Sequence, residues 1–158
     1  MDEPLDDFDR KILNLLQEDC QMKAEMLAER VGLSSSAVQR RIKRLRQDGI
    51  IAAEIAVVDR ASVGKLMTFV VGLEIERENY AALASFRRWV EKQPEIQQAY
   101  YVTGLVDVIL IIVTEDVESF DALSARIMAY TPQIRRMNTN VVLSVLKLGL
   151  KLPLDAAG

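Results

Sequence analysis

Apolar positions recur three and four places apart through the first fifty residues, and this spacing predicts three short amphipathic helices. The first follows an N-cap at Asp6 and ends near Asp19, and the second covers residues 24–31. The third follows Ser34, whose hydroxyl can cap a helix N-terminus, and ends before Gly49. Each apolar stripe is too narrow to fold singly, so we expect the helices to share one small core, with the third presented outward.

The polar face of the third helix carries small hydroxyls and an amide at its start and cations further along. Five basic residues and no acidic residue lie between positions 40 and 46. Short side chains let a helix backbone approach base edges in the major groove, while Arg and Lys reach phosphates. We therefore interpret this segment as a recognition helix. The predicted base contacts are Ser35, Ser36, Gln39 and Arg40. The predicted phosphate contacts are Ser34, Arg41, Lys43 and Arg44.

Two alternatives stay open for this face. A basic stretch of this kind is also typical of the solvated side of an ordinary amphipathic helix. Arg41, in addition, is placed where it can brace the helix by pairing with an acid of its own domain.

From residue 66 onward the periodicity alternates between strands and helices. The predicted strands are 66–76, 96–103, 106–114 and 134–148, and the predicted helices are 79–93 and 116–130. A further short strand is predicted over residues 52–59. The order βαββαβ predicts an α+β chain, in which a winged helix-turn-helix domain is followed by a ferredoxin-like sandwich. The predicted domains are residues 1–60 and 66–150, with a linker at 61–65 and a tail at 151–158.

Two motifs in the helical part resemble a known family. Leu-Asp-x-x-Asp-x-x-Ile-Leu begins at Leu5, and Leu-Ala-x-x-Val-Gly-Leu-Ser begins at Leu27. Together with the spacing of Val38, Arg41 and Gly49, they resemble the Lrp/AsnC (leucine-responsive, or feast/famine) transcriptional regulators. The βαββαβ order resembles the effector-binding and oligomerisation domain of that family, so the resemblance covers nearly the whole chain.

The resemblance implies a sequence-specific regulator that binds double-stranded DNA and responds to an amino acid. It also implies a homodimer that assembles further into a tetramer or octamer. One departure is Lys23, where the family usually has a Ser or Thr that caps the second helix. A lysine cannot accept that hydrogen bond and its charge opposes the helix dipole, so we expect a cap weaker by about 1 kcal/mol.

Asp107 is the one charged residue in the apolar stretch 102–108, and a carboxylate near a core is costly unless it is paired. By matching position, the resemblance implies effector contacts at the seam between dimers from Thr103, Gly104, Asp107, Thr139, Val141 and Val142. Leu105 replaces an acid of the family's usual turn, which predicts a less anionic pocket and favours an aliphatic amino acid over a basic one. The alternative is that Asp107 only fixes the turn, by accepting hydrogen bonds from N–H groups next to Gly104.

Residues 108–113 are apolar at every position, although helices cover only one face of a ferredoxin-like sheet. We expect the other face, which includes Val70, Val142 and Leu146, to pack against the sheet of a second copy. An isologous dimer of this kind also presents two recognition helices with twofold symmetry.

Composition narrows the function further. The chain of 158 residues is 50% apolar and 27% charged, which is typical of a folded protein, and its net charge of −3 argues against indiscriminate binding to nucleic acid. A single cysteine favours a reducing cytoplasm, and no apolar run is long enough to cross a bilayer, so we expect no membrane partner.

The chain contains no histidine, no cluster of metal ligands and no phosphate-binding loop, so we predict no cofactor, no metal and no catalytic residue. An enzyme that resembles the siroheme decarboxylases, which share the same pair of domains, is disfavoured because those enzymes rely on histidine. A metabolite-binding module that has lost DNA contact is the other alternative. The intact serine and arginine face of the third helix argues against it.

Overall fold

The computed structural model describes residues 5–76 and 80–154, which divide into two compact units. Unit 1 contains residues 5–57 together with residues 147–154. Unit 2 contains the described residues between 58 and 146. Within the described ranges, no helix is both long and apolar enough to cross a membrane.

Unit 1 contains three helices: α1 (Asp7–Leu16), α2 (Ala24–Val31) and α3 (Ser35–Gln47). Their core is built from Ile12, Leu13, Leu27, Ala28, Val31, Val38, Ile42 and Leu45. Gly32 ends α2 at a φ of 77°, a conformation that glycine adopts without the Cβ penalty of other residues. Ser34 then caps α3 by accepting a hydrogen bond from the Ala37 N–H, as predicted. No side-chain hydrogen bond caps α2 at Lys23, which confirms the expected defect.

Unit 2 begins with one helical turn and continues as the predicted sandwich. Its elements are α4 (Arg60–Val63), β1 (Met67–Ile75), α5 (Tyr80–Val90), β2 (Ile96–Tyr101), β3 (Val108–Thr114), α6 (Val117–Tyr130) and β4 (Ile134–Val141). The strands form one antiparallel sheet in the order β2-β3-β1-β4, which is the ferredoxin-like order. Asp116 caps α6 as predicted, whereas the expected start of α5 at Asn79 lies outside the described residues.

The core of unit 2 lies on one face of this sheet. Phe69, Val71 and Leu73 of β1 alternate with residues on the other face, and their buried side chains meet α5 and α6. Phe69 stacks on Phe120 with ring centroids 3.9 Å apart. On the opposite face, the Val106 side chain lies so close to Gly72 that a Cβ there would be 2.9 Å from a Val106 methyl carbon.

Two predicted strands differ from the structure. Residues 52–59 form no strand, because no neighbouring strand in the described part of unit 1 offers backbone partners, and the helix-turn-helix therefore has no β-wing there. The last strand ends at Val141 and not at residue 148. It ends there because β1, its partner, begins at Met67, and the final contact is the Val142 N–H donating to the Thr68 carbonyl at 2.9 Å.

Candidate nucleic-acid interface and effector cleft

The face of α3 opposite its buried stripe is accessible. Ser36, Gln39, Arg40 and Lys43 are exposed, as is the cap residue Ser34, and Ser35 is half-buried. Across residues 5–76 and 80–154, the side chains of Arg40 and Lys43 have neither a hydrogen bond nor an ion pair. These two cations therefore remain available to an external anion.

Arg41 and Arg44 differ from Arg40 and Lys43, because both contact α1. The Arg41 guanidinium donates to Asp6 at 2.7 Å and to Asp9 at 2.8 Å, and Arg44 also donates to Asp9. The Asp9 side chain is only 1% exposed, so the carboxylate and its two guanidinium partners compensate one another away from bulk water. Arg41 thus forms an ion pair with acids of its own domain, which is the alternative role that the sequence suggests for this residue.

The same acids also organise the start of α1. The Asp6 carboxylate accepts from the Asp9 N–H at 2.8 Å, and Asp9 accepts from the Asp6 N–H at 3.3 Å, which makes a reciprocal capping box. Burial raises the pKa of Asp6, but hydrogen bonds from the Asp9 N–H and from Arg41 outweigh this effect, and the net pKa lies below the ordinary 3.8. The hydrogen bond to Asp9 raises the pKa of Arg41.

This network fixes α3 against α1 at two successive turns of the recognition helix. The ion pair of Arg44 with Asp9 is not predicted from the sequence, which assigns Arg44 to a phosphate contact. The available signal was the spacing of Arg41 and Arg44, since residues three apart share one helix face and can reach one acid. Arg46, the last of the basic run, pairs with Glu54 at 2.7 Å.

In unit 2, Asp107 lies at the end of the turn between β2 and β3. Its carboxylate accepts a hydrogen bond from the Ile75 N–H at 2.7 Å, and its own N–H donates to the Leu73 carbonyl at 2.8 Å. The Asp107 carboxylate therefore holds a backbone N–H group, as expected if its role is structural. That N–H group belongs to β1, however, and not to the residues beside Gly104. Gly104 adopts a φ of 128° at the turn.

An open cleft of about 460 Å³ adjoins this turn. It is lined by Glu74, Ile75, Glu76, Gly104, Leu105, Asp107 and Arg135. Three carboxylates and one guanidinium face it, so the loss of an acid at Leu105 does not leave the cleft poor in negative charge. The two glutamates and the arginine were not identified from the sequence, because they come from strand ends that only the sheet register brings to this turn.

The structure brings together only part of the predicted effector set. Gly104 and Asp107 line the cleft, whereas Thr103 is exposed on the turn outside the cleft lining. Thr139 and Val141 lie on β4, where they pair with Val71 and Phe69 of β1, and β1 separates them from β3. Val142 follows β4 and is half-buried. Within the described residues of a single chain, the cleft is therefore lined by Gly104 and Asp107. Its lining does not include Thr139, Val141 or Val142.

The described residues contain no group of three or more His, Cys, Asp or Glu side chains that could hold a metal ion. A helix-turn-helix with an exposed face, followed by a ferredoxin-like unit with a charged cleft, is the domain pair expected of a ligand-binding transcriptional regulator. Residues 5–46 match the AsnC-type helix-turn-helix domain, and residues 68–152 match the Lrp/AsnC ligand binding domain. The chain therefore belongs to the Lrp/AsnC family of transcriptional regulators, which are not enzymes.

Similar proteins cover almost the whole chain. The helix-turn-helix transcriptional regulator y4tD of Sinorhizobium fredii is 34% identical over 151 residues, which cover 96% of this chain and 89% of that protein. The transcriptional regulator AzlB of Bacillus subtilis is 32% identical, with 96% of each chain covered.

Solved structures give the same result for the fold. An AsnC family transcriptional regulator from Agrobacterium tumefaciens has a TM-score of 0.85 at 33% identity, over 95% of this chain and 97% of that one. A Neisseria meningitidis transcriptional regulator in complex with L-methionine has a TM-score of 0.84 at 30% identity, over 96% and 98% of the two chains.

Proposed function

We propose that α3 reads operator DNA in the major groove. Its base contacts are Ser35, Ser36, Gln39 and Arg40, and its phosphate contacts are Ser34 and Lys43. Arg41 and Arg44, which the sequence also assigns to phosphates, pair with Asp9, and we propose that their main role is to brace α3. The observation that carries this proposal is the accessible face of α3, where two cations that have no partner among the described residues follow small hydroxyl side chains.

The experiment is fluorescence anisotropy with a labelled duplex from upstream of the gene that encodes this protein and with a scrambled duplex. Arg40→Ala is expected to reduce the preference for the upstream duplex, because one base contact worth about 1–3 kcal/mol is lost. Lys43→Ala is expected to weaken binding to both duplexes alike and to reduce the salt dependence by about one ion. Lys92→Ala, which removes an exposed cation of unit 2, is the matched control. If Arg40→Ala and Lys43→Ala both bind and discriminate like this control, α3 does not contact DNA.

The regulator is proposed to act as a homodimer joined through the open face of its sheet. Ile109, Ile111 and Val113 of β3 alternate with the buried core positions and remain half-exposed, and Val70 of β1 lies beside Ile111. Such an apolar strip on a sheet is unfavourable in water and fits a second copy of itself. Dimers of this kind are the unit from which the proposed tetramer or octamer would assemble.

Light scattering coupled to size-exclusion chromatography tests the dimer. Ile111→Glu places a charge in the middle of the strip and is expected to yield monomers. Val117→Glu, at an exposed position at the start of α6, is the control and is expected to leave the mass unchanged. A dimer mass for Ile111→Glu at the lowest measurable concentration would exclude this interface.

The cleft at Asp107 is proposed to bind an amino acid. Carboxylates from Glu74, Glu76 and Asp107 suit an α-ammonium, and Arg135 suits an α-carboxylate, while Ile75 and Leu105 offer apolar surface to an aliphatic side chain. The Neisseria meningitidis relative is described in complex with L-methionine, which supports this chemistry. Thr103, Thr139, Val141 and Val142 join the site only where a second copy supplies them, at the seam between dimers.

A thermal-shift screen against the twenty amino acids tests the cleft. An amino acid that binds the cleft is expected, at saturating concentration, to raise the melting temperature by about 5 °C. A larger shift with L-methionine or L-leucine than with L-lysine would support an aliphatic effector, and the reverse would support a basic effector that uses the three carboxylates. Arg135→Ala is expected to abolish the response, with Arg88→Ala as a control at an exposed arginine of α5. No response to any amino acid would leave Asp107 with a structural role only.

A further inference from the structure

The C-terminal residues return to unit 1 and contact α1 there. The Gln17 side chain forms a matched pair of hydrogen bonds with Leu152: its Nε2 donates to the Leu152 carbonyl at 3.1 Å, and its Oε1 accepts from the Leu152 N–H at 2.7 Å. A glutamine amide used in this way replaces the backbone of a neighbouring strand and holds an extended segment through its main chain. The contact joins residues 135 positions apart in the chain.

Two further contacts continue this attachment along α1. Asn14 Nδ2 donates to the Leu154 carbonyl at 2.6 Å, and Lys151 Nζ lies 2.6 Å from Glu18. Leu154 also packs, partly buried, against the helical core of unit 1. We call residues 151–154 the C-terminal clamp. Its receptor surface is formed by Asn14, Gln17 and Glu18.

The contacts that hold the clamp are individually weak, so its attachment is expected to be reversible. Leu150 and Leu152 remain mostly exposed, so the attachment depends on a few polar contacts near water and on one partly buried leucine. Solvent-exposed hydrogen bonds and ion pairs of this kind each contribute little. The Lys151 ammonium lowers the pKa of the Glu18 carboxyl by hydrogen bonding and charge, which supports an ion pair that forms at neutral pH.

The position of the clamp in the chain gives it a consequence for DNA binding. Upstream, residues 142–150 connect the clamp to β4, the strand that carries the proposed effector residues Thr139 and Val141. The clamp contacts the C-terminal end of α1 at Asn14, Gln17 and Glu18. At the other end of the same helix, Asp6 and Asp9 hold Arg41 and Arg44 of α3. A single run of contacts therefore leads from the clamp through α1 to the recognition helix within unit 1.

We propose that the Asn14–Gln17–Glu18 surface of α1 is a docking site for the chain's own C-terminal clamp, and that its occupancy holds α1 and α3 in the arrangement that binds DNA. The second half of this proposal rests on the proposed function of α3. Release of the clamp leaves α1 without its C-terminal support and weakens operator binding, although no clamp residue touches DNA.

Hydrogen exchange of the full-length chain tests docking directly. Gln17→Ala is expected to accelerate exchange of the Leu152 amide about fivefold or more, because that N–H loses its acceptor. Gln21→Ala, which removes an exposed amide just beyond α1, is the matched control and is expected to leave the peptide containing Leu152 unchanged. Equal exchange in Gln17→Ala and Gln21→Ala would overturn the docking site.

A charge swap separates docking from a general loss of stability. Lys151→Glu and Glu18→Lys are each expected to accelerate exchange in residues 147–154 and to weaken operator binding about twofold to fivefold, and the double variant is expected to restore both. Lys147→Glu makes the same charge change in the same segment and serves as the control. Restored exchange without restored operator binding would overturn the coupling to α3 while leaving the docking site intact. A parent chain that binds no DNA would refute the proposed function and the coupling together, whereas the exchange data would still decide docking.

Discussion

The buried carboxylate of Asp9 is the group on which the position of the recognition helix depends most. Its side chain is 1% exposed and holds Arg41 and Arg44, while it also accepts from the Asp6 N–H at the start of α1. Asp9→Ala is therefore expected to destabilise unit 1 and to loosen α3, and Asp9→Asn is expected to do the same to a smaller extent, since the amide keeps one acceptor oxygen.

The expected loss of unfolding free energy depends on how much hydration each guanidinium regains once the carboxylate is removed. Breaking a buried ion pair costs about 3–5 kcal/mol when the remaining charge cannot reach water. Arg41 and Arg44 are 22% and 29% exposed, and Arg41 retains Asp6, so both guanidiniums regain part of their hydration. We expect a loss of about 2–3 kcal/mol for Asp9→Ala and about 1–2 kcal/mol for Asp9→Asn.

Urea unfolding followed by circular dichroism measures this loss, and operator binding by anisotropy measures its effect on α3. Asp7→Asn is the matched control, because Asp7 is an exposed acid in the same helical turn and contributes only through the helix dipole, about 0.5 kcal/mol. If both Asp9 variants unfolded at the same urea concentration as this control, the carboxylate would not hold α3, and the two arginines would have to be reassigned to DNA.

Three further outcomes are expected. Gly72→Ala should cost about 1–3 kcal/mol in urea unfolding, because its Cβ would lie 2.9 Å from a Val106 methyl carbon, and adding Val106→Ala should recover part of that loss. Ser34→Ala should lower the free energy of unfolding by about 1 kcal/mol through loss of the α3 cap, whereas Ser34→Thr should keep most of it. Because the pKa of Asp6 is lowered in the folded chain, its contribution is complete above the ordinary pKa of 3.8 and is lost as the pH falls through the lower folded value. An acid titration of unfolding should show this loss in the parent, and Asp6→Asn should remove it.

The three helices of unit 1 could be predicted closely because their signals are local. Gly32, Ser34 and Gly49 mark the ends of α2 and α3 within a few residues of each boundary, and each acts through the backbone of its own turn. Even the uncapped start of α2 at Lys23 could be predicted, since it depends on one side chain beside one helix end.

Strand limits could not be predicted in the same way, because a strand ends where its partner ends. The sequence after Val141 keeps an apolar pattern, yet β4 stops beside Thr68, since β1 extends only one residue further, to Met67. Residues 52–59 alternate as a strand would, but alternation supplies no hydrogen-bond partner. Similarly, the sequence shows Asp107 as an isolated charge in an apolar stretch. Its partner, the Ile75 N–H, could not be predicted, because the pairing depends on the register between β1 and β3.

The division of the α3 cations explains how a chain with a net charge of −3 can still be selective for DNA. Arg41, Arg44 and Arg46 pair with acids of their own unit, so they add order to the helix and little free charge. Arg40 and Lys43 face outward on this fixed support. Affinity for any duplex rises with the number of phosphates neutralised, whereas discrimination depends on where a few side chains are held. If α3 reads the operator as proposed, neutralising three of the five cations internally is expected to lower binding to unrelated DNA more than it lowers recognition of the operator.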